Sequence, residues 1–334
     1  MKKRLFMTGI VFFCGLAVFA LGQNDGGTQS GAGNTFVMNI GSAVSDSNPS
    51  TLALQSFKTA VEKRTNGKLK VNIYANSALG NEQDMISQLI AGTLEGSMQM
   101  GAANWEGYNE EAGVALLPFL FPDIEKARKA WNGEFGKKFA KEIIEPTGCK
   151  VLSVWESGYR HMTNNIRPVK VPADMKGIKF RTNNNNMKVK MFKALDGNVI
   201  MMSFSEVFTA LQNGTIDGQE NPLANIYTSS IQEVQKYLSL TGHMYDAAPF
   251  VCSKKWFDGL PTEYQNILME EADKARAVDL KENDEGRFLE LLKKSGIKVN
   301  EVDKAAFQEK VQPVWKEFSQ KYGDEWLKLA KSAK

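Results

Sequence analysis

The sequence predicts an α/β protein of two lobes, and three observations predict it. Short apolar runs alternate with amphipathic helical patterns along most of the chain, the order expected of helices layered on largely parallel sheets. At 334 residues the chain exceeds one ordinary domain. A turn pattern, L-x-x-G-T-apolar-acid-G, occurs once in each half, as LIAGTLEG (Leu89 to Gly96) and LQNGTIDG (Leu211 to Gly218). Glycine just past a helix end takes the left-handed conformation that satisfies the last carbonyls, and the Thr and aliphatic residue after it lead into a strand.

The elements follow in chain order. Lys2, Lys3 and Arg4 precede an apolar run from Leu5 to Leu21, with the small-residue site Val18-Phe19-Ala20 near its end, the layout of a secretory signal peptide over residues 1–22. The run is broken by Thr8, Gly9 and Gly15 and is short for a bilayer span of about 20 residues. Cys14 follows the bulky Val11-Phe12-Phe13, which disfavours a lipoprotein anchor. Residues 23–34 are Gly-rich and read as a tether. Strands are then expected at Phe36–Ile40, Leu69–Tyr74, Ser97–Met100, Val151–Trp155, Ile178–Phe180 and Phe250–Cys252. Helices are expected at Thr51–Arg64, Glu82–Ala91, Met187–Leu195 and Glu206–Gln212. Pro261-Thr262-Glu263 opens a charge-rich helical stretch towards Lys294, long enough to span both lobes as one helix or to break in two near Gly286.

Composition excludes several functions. The 41 basic and 38 acidic residues are scattered without the basic stripe that nucleic acid requires. The three excess positives are Lys2, Lys3 and Arg4, so loss of the leader leaves 38 of each sign and a formally neutral mature chain. No phosphate-binding glycine loop, G-x-S-x-G, H-E-x-x-H or paired C-x-x-C occurs, and His161 and His243 are the only histidines, so no cofactor or metal is expected. Beyond the leader only Cys149 and Cys252 remain, and they read as two buried thiols rather than an essential disulfide.

The positive signal is polar residues where strands end. Arg181 directly follows Ile178-Lys179-Phe180, and Arg160 comes after Val151–Trp155. In open α/β folds ligands bind beyond the carboxyl ends of strands, where a guanidinium can grip a carboxylate through two parallel hydrogen bonds.

Five segments, FSEVFTALQNGTIDGQENP (Phe204 to Pro222), IKFRTNNNN, GYRHMTN, ALGNEQDMI and LLPFLF, together resemble the extracytoplasmic solute-binding proteins of tripartite ATP-independent periplasmic (TRAP) transporters, from about Phe36 to the end. The resemblance implies the two-lobed periplasmic binding protein fold with a long interlobe helix, lobe I being residues 35–157 with 247–286 and lobe II 158–246 with 287–334. It implies a periplasmic location, a small organic acid as ligand, and TRAP membrane permease subunits as partners. A monomer and no enzymatic activity are expected. By the same resemblance Arg181 pairs with the ligand carboxylate, Arg160 adds a second contact, Asn221 offers its amide, Glu82 accepts from a hydroxyl or amine, and Phe204 forms an aromatic wall.

This chain has Arg181-Thr182-Asn183-Asn184-Asn185 where many sugar-acid binders of that family have R-T-M-[EQ]-N. The amides of Asn183 and Asn185 are therefore candidate readers of hydroxyls, and His243 and Tyr245 are placed facing the cleft. A polyhydroxylated sugar acid is favoured over a C4-dicarboxylate or a sialic acid. The alternatives are an ABC-type solute-binding protein and a secreted carboxylate-using enzyme.

Overall fold

The computed structural model describes residues 35–332. The signal-peptide and tether readings fall on residues 1–34, outside the described residues. The chain runs β1 (Phe36–Ser42), α1 (Pro49–Arg64), β2 (Leu69–Tyr74), α2 (Glu82–Ala91) and β3 (Gly96–Met98), followed by two 3-10 segments. Next come α3 (Ile124–Asn132), α4 (Glu134–Phe139), β4 (Cys149–Asn164), β5 (Lys179–Thr182), α5 (Asn186–Ala194), β6 (Asn198–Met201), α6 (Val207–Gln212), β7 (Gly218–Pro222) and α7 (Leu223–Thr228). The remainder is β8 (Tyr237–Ser239), β9 (Tyr245–Ser253), α8 (Lys254–Asp258), α9 (Thr262–Glu282), α10 (Glu285–Lys294), β10 (Lys298–Asn300), α11 (Lys304–Lys310), α12 (Gln312–Tyr322) and α13 (Glu325–Ser332).

The strands join in the order β2-β1-β3-β9-β4-β7-β5-β6, with β8 and β10 branching from β4. Pairing is parallel at β1–β2, β1–β3, β5–β6 and β5–β7, and antiparallel wherever β4 or β9 takes part. The result is two α/β lobes sharing long strands. β4 is the shared member: its first half pairs with β9 and its second half with β7 and β8. The sequence-predicted strand Val151–Trp155 is only part of it, and the alternation runs on through Gly158. There the register shifts and the backbone turns to φ +107, which glycine accommodates without strain. Arg160 consequently lies within β4, not in a loop after it.

Cys149 and Cys252 sit on neighbouring strands, Cys252 opposite Lys150, with their side chains in different core clusters on the two faces of the sheet. Both are free, buried thiols.

The two echoed turns superimpose in their bonding. Gly92 (φ 75) and Gly214 (φ 70) are both left-handed, and the following Thr93 and Thr215 donate N–H to Gln88 O and Ala210 O at 2.9 Å each. The acid one step before each new strand reaches sideways: Glu95 accepts from the Asn39 N–H of β1 at 3.0 Å, and Asp217 from the Lys179 N–H of β5 at 2.8 Å. The same device thus sets β3 against β1 in one lobe and β7 against β5 in the other.

The stretch Pro261–Lys294 is two helices. α9 ends at Glu282 because Asn283 turns its amide to the carbonyls of Glu156 and Ser157 in the β4 bulge (3.0 and 3.2 Å), and Asp284 caps α10 by accepting from Arg287 N–H at 2.6 Å. The break is a polar tie to β4, three residues before Gly286. At 21 residues α9 is about 31 Å long; it packs on α1 and β4, whereas α10 lies on α7, with Phe288 against Tyr227. α13 returns to α3 and α4, where Trp326 meets Phe135 and Phe139 edge-on.

Candidate functional site

A cleft of about 390 Å³ opens where the ends of β1 and β5 face each other, lined from one side by Ala43, Ser77, Asn81, Glu82, Gln83 and Asn104. From the other side come Asn183, Asn184, Met201, Met202, Ser203 and Phe204. One flank is amide, hydroxyl and carboxylate; the other carries two thioethers and a ring. Below it lies a chamber of about 20 Å³, which shares Ala43, Glu82, Asn183 and Phe204 with the cleft and adds Arg160, Arg181, Lys188, Asn221, Asn225 and Asp246.

Arg181 occupies the third position of β5 and is 2% exposed. Its Nε and Nη2 both donate to Met202 O, at 3.0 and 2.7 Å, and its guanidinium stands 5.8 Å from the centre of the Phe204 ring. Among the described residues no carboxylate forms an ion pair with it, and Nη1 makes no hydrogen bond. Burial pushes its pKa down to about 10, so it stays cationic at neutral pH.

Arg160, in β4 and 3% exposed, is held on every side. Its Nε and Nη2 bind the Glu220 carboxylate, Nη1 donates to Asp246 Oδ2 at 2.9 Å, and Nη2 also reaches Glu220 O and Asn221 Oδ1 at 2.7 and 3.0 Å. Lys188 of α5 adds Nζ to Glu220 Oε1 at 3.0 Å, and His243 places Nε2 3.3 Å from Glu220 Oε2. Despite its burial, Glu220 is held well below the usual carboxylate range by Arg160, Lys188 and the His243 contact. This knot ties β4, β7, β9 and α5 together under the chamber.

Of the other sequence-predicted residues, Glu82 begins α2, half-buried, with Oε1 accepting from Met100 N–H at 2.9 Å. Asn221 lines the chamber, but its amide is already engaged, accepting from Arg160 and, at 3.5 Å, from Asn225 Nδ2, and donating to Gln219 Oε1 at 2.5 Å. Phe204 walls both cleft and chamber, and Asn183, linked through Nδ2 to Asn104 Oδ1 at 3.2 Å, lines both as well.

Three placements are corrected. Asn185 is 2% exposed, caps α5 by accepting from Lys188 N–H at 3.0 Å, and donates to Ala103 O; its neighbour Asn184 lines the cleft instead. Tyr245 points away from the chamber, its hydroxyl on Glu156 Oε2 at 2.9 Å and its ring against Phe121 and Tyr159. Strand alternation then aims Asp246, not Tyr245, at the chamber. His243 does not reach the cleft; it is fully buried between Thr241 and Glu220.

Sequence reasoning missed Lys188, Asp246 and Glu220. Lys188 had a signal: it falls on the same helical face as Met191 and Phe192, and a lysine on an apolar stripe needs a buried partner.

The two-lobed α/β frame is shared with solved structures of solute-binding proteins. Residues 40–321 match the family model of the bacterial extracellular solute-binding proteins, family 7. The chain belongs to that family. The 2,3-diketo-L-gulonate-binding periplasmic protein YiaO of Escherichia coli is 37% identical over 306 residues, 91% of this chain and 90% of the relative. Among solved structures, the sugar acid binding protein DctPAm of Advenella mimigardefordensis, in complex with galactonate, has a TM-score of 0.86 and 34% identity, covering 90% of this chain and 99% of that one. A TRAP periplasmic solute-binding protein of Haemophilus influenzae with bound L-gulonate has a TM-score of 0.85 at 29% identity, covering 90% and 100%. This family 7 protein is therefore a solute-binding component of a TRAP transporter, a system whose other components are membrane permease subunits. Among the described residues no helix is long and apolar enough to cross a membrane.

Proposed function

We propose that this family 7 protein captures a monocarboxylic sugar acid between its lobes, with the carboxylate on Arg181, and delivers it to its permease without chemical change. The carrying observation is the Arg181 guanidinium, buried in the wall of the chamber beneath the cleft, with one carbonyl as hydrogen-bond partner and, among the described residues, no carboxylate paired with it. A buried cation is costly unless paired, and the missing partner is an anion that arrives from outside. Arg160 offers no second charge because Glu220 and Asp246 already answer it. One available cation favours one carboxylate over two.

The rest of the ligand then lies along Glu82, Asn81, Gln83, Asn104, Asn183 and Asn184, which accept from and donate to hydroxyls, while Phe204 and Met202 cover its C–H face. The names of the Escherichia coli relative and the ligands in the two solved structures support a sugar acid. Asn221 and Arg160 act as the floor that orients the pocket rather than as the main grip. Residues 1–22 are read as the export signal, 23–34 as a tether, and the exported chain as a monomer. The lobe divisions proposed from sequence, near residues 157/158 and 286/287, find support in the β4 bulge and the α9–α10 break, which lie together. Closure of the lobes would desolvate the Arg181–carboxylate pair and strengthen it.

A thermal-shift screen of organic acids tests this. A bound acid at 100 times its Kd raises stability by about 2.7 kcal/mol, a visible rise in Tm. Galactonate, L-gulonate and glucuronate are expected to shift the transition and neutral sugars are not; shifts by neutral sugars alone would overturn the reading.

A further inference from the structure

The chamber beneath the cleft is electrically balanced before any ligand enters. Arg160, Arg181 and Lys188 supply three positive charges, and Glu82, Glu220 and Asp246 supply three negative ones. His243 beside Glu220 is kept neutral by burial, and Glu206, which also faces Arg181, is exposed to water on the far side. An anion drawn onto Arg181 would leave this water-poor space one charge negative, which a low-dielectric interior resists.

Resting on the carboxylate reading above, we propose that Asp246 is the proton-binding partner of the ligand: each anion seated on Arg181 brings one proton, which settles on Asp246 Oδ1. The geometry singles out that atom. Asp246 is 2% exposed; Oδ2 is taken by Arg160 Nη1 at 2.9 Å, but Oδ1 is buried and has no hydrogen-bond partner among the described residues. A proton placed there breaks no existing hydrogen bond and gives this unsatisfied acceptor an O–H, on a residue that lines the chamber. The competing acid, Glu82, is half-buried and already has Oε1 on the Met100 N–H. Glu220 is held by two cations and is the least ready of the three to protonate.

The charges facing Asp246 come from every side: Arg160 of β4 and Lys188 of α5 lower its proton affinity, while Glu220 of β7 and Glu82 of α2 raise it. Burial outweighs the cations and pushes its pKa up to about 6, so the empty protein is mostly ionised there at pH 7. A ligand carboxylate on the neighbouring Arg181 adds a further negative charge and lifts the affinity for the proton again. Linkage then requires that affinity for the anion fall by about tenfold per pH unit as pH rises above about 6, until the liganded form itself ionises.

Isothermal titration of the full chain with galactonate, L-gulonate and glucuronate, at about pH 7.5 in buffers of low and high ionisation enthalpy, reads the proton directly. The observed enthalpy is expected to vary with buffer by a slope near one proton taken up per anion, and the slope should vanish in Asp246→Asn. Binding with zero slope in the native protein overturns the proton inference alone and leaves the carboxylate reading intact. An undiminished slope in Asp246→Asn overturns the assignment to Asp246. No heat from any of the three acids counts against the carboxylate reading itself, and the proton inference falls with it. The native slope stands as a test even where the variant fails to fold.

Discussion

Arg160 and Arg181 sit on strands either side of one small chamber, at 3% and 2% exposure, yet their surroundings are opposite. Arg160 meets two carboxylates and two further acceptors; Arg181 meets a single carbonyl. The difference teaches that burial alone does not mark a ligand-binding arginine. A guanidinium saturated by its own chain is part of the frame, and one left short of an anion is available to a ligand.

The largest expected effect falls on stability. Arg160→Ala leaves Glu220 and Asp246 buried without their main cation and should cost about 3–5 kcal/mol of folding free energy, seen as a lowered midpoint in urea unfolding. If that variant unfolds at the native midpoint but binds poorly, the two arginines have been assigned the wrong way round. Next is Arg181→Ala, expected to weaken sugar-acid binding by about 2–5 kcal/mol in titration calorimetry. Its unliganded stability should hold or rise, since a buried unpaired charge is removed. Arg181→Lys keeps the charge without the fork and should fall between the two.

Asp279 extends the comparison to the opposite sign. It is buried, and among the described residues its carboxyl accepts only from Ser50 Oγ and the Glu156 N–H, at 2.8 and 3.0 Å, and has no ion-pair partner; burial pushes its pKa up to about 7. A raised carboxyl pKa contributes stability that is complete below the unfolded value near 3.8 and is lost as pH rises through about 7. Relative to Asp279→Asn, the native protein should therefore lose stability at up to about 1.4 kcal/mol per pH unit across that window, measured by denaturant unfolding at several pH values. A difference that does not change with pH would show Asp279 to be ionised throughout. The smallest effect is expected at Phe204, whose ring faces Arg181 at 5.8 Å: Phe204→Leu should weaken binding by about 0.5–2 kcal/mol, with the pH dependence of binding unchanged.

Much of this was legible in the sequence, for local reasons. Leu69–Tyr74 and Glu82–Ala91 fall where alternation and helical period place them, and the two G-T turns form the same hydrogen bonds because glycine past a helix end dictates them. β4 was not legible to its end, because alternation continues through a bulge at a glycine that reads locally as a stop. The break of α9 at Asn283 depends on β4 carbonyls more than a hundred residues away. In the site, Glu82, Asn183 and Phe204 line the cleft, each just after a strand or at the start of a helical turn, and Arg181, inside β5, lines the chamber beneath. Tyr245 was misplaced by a single step of strand alternation, and Asn185 was taken by a helix cap. What Arg160 does depends on Glu220, Asp246 and Lys188 converging from three other elements, a fact of tertiary structure that no spacing encodes.

The central claim is that the uncommitted arginine receives the anion, and a crystal structure with galactonate, or with whichever sugar acid raises Tm most, tests it directly. The account predicts both carboxylate oxygens at about 2.7–2.9 Å from Arg181 nitrogens, with Arg160 still bound to Glu220 and Asp246. A carboxylate seated on Arg160 with its internal pairs broken, or bound away from Arg181, would contradict it.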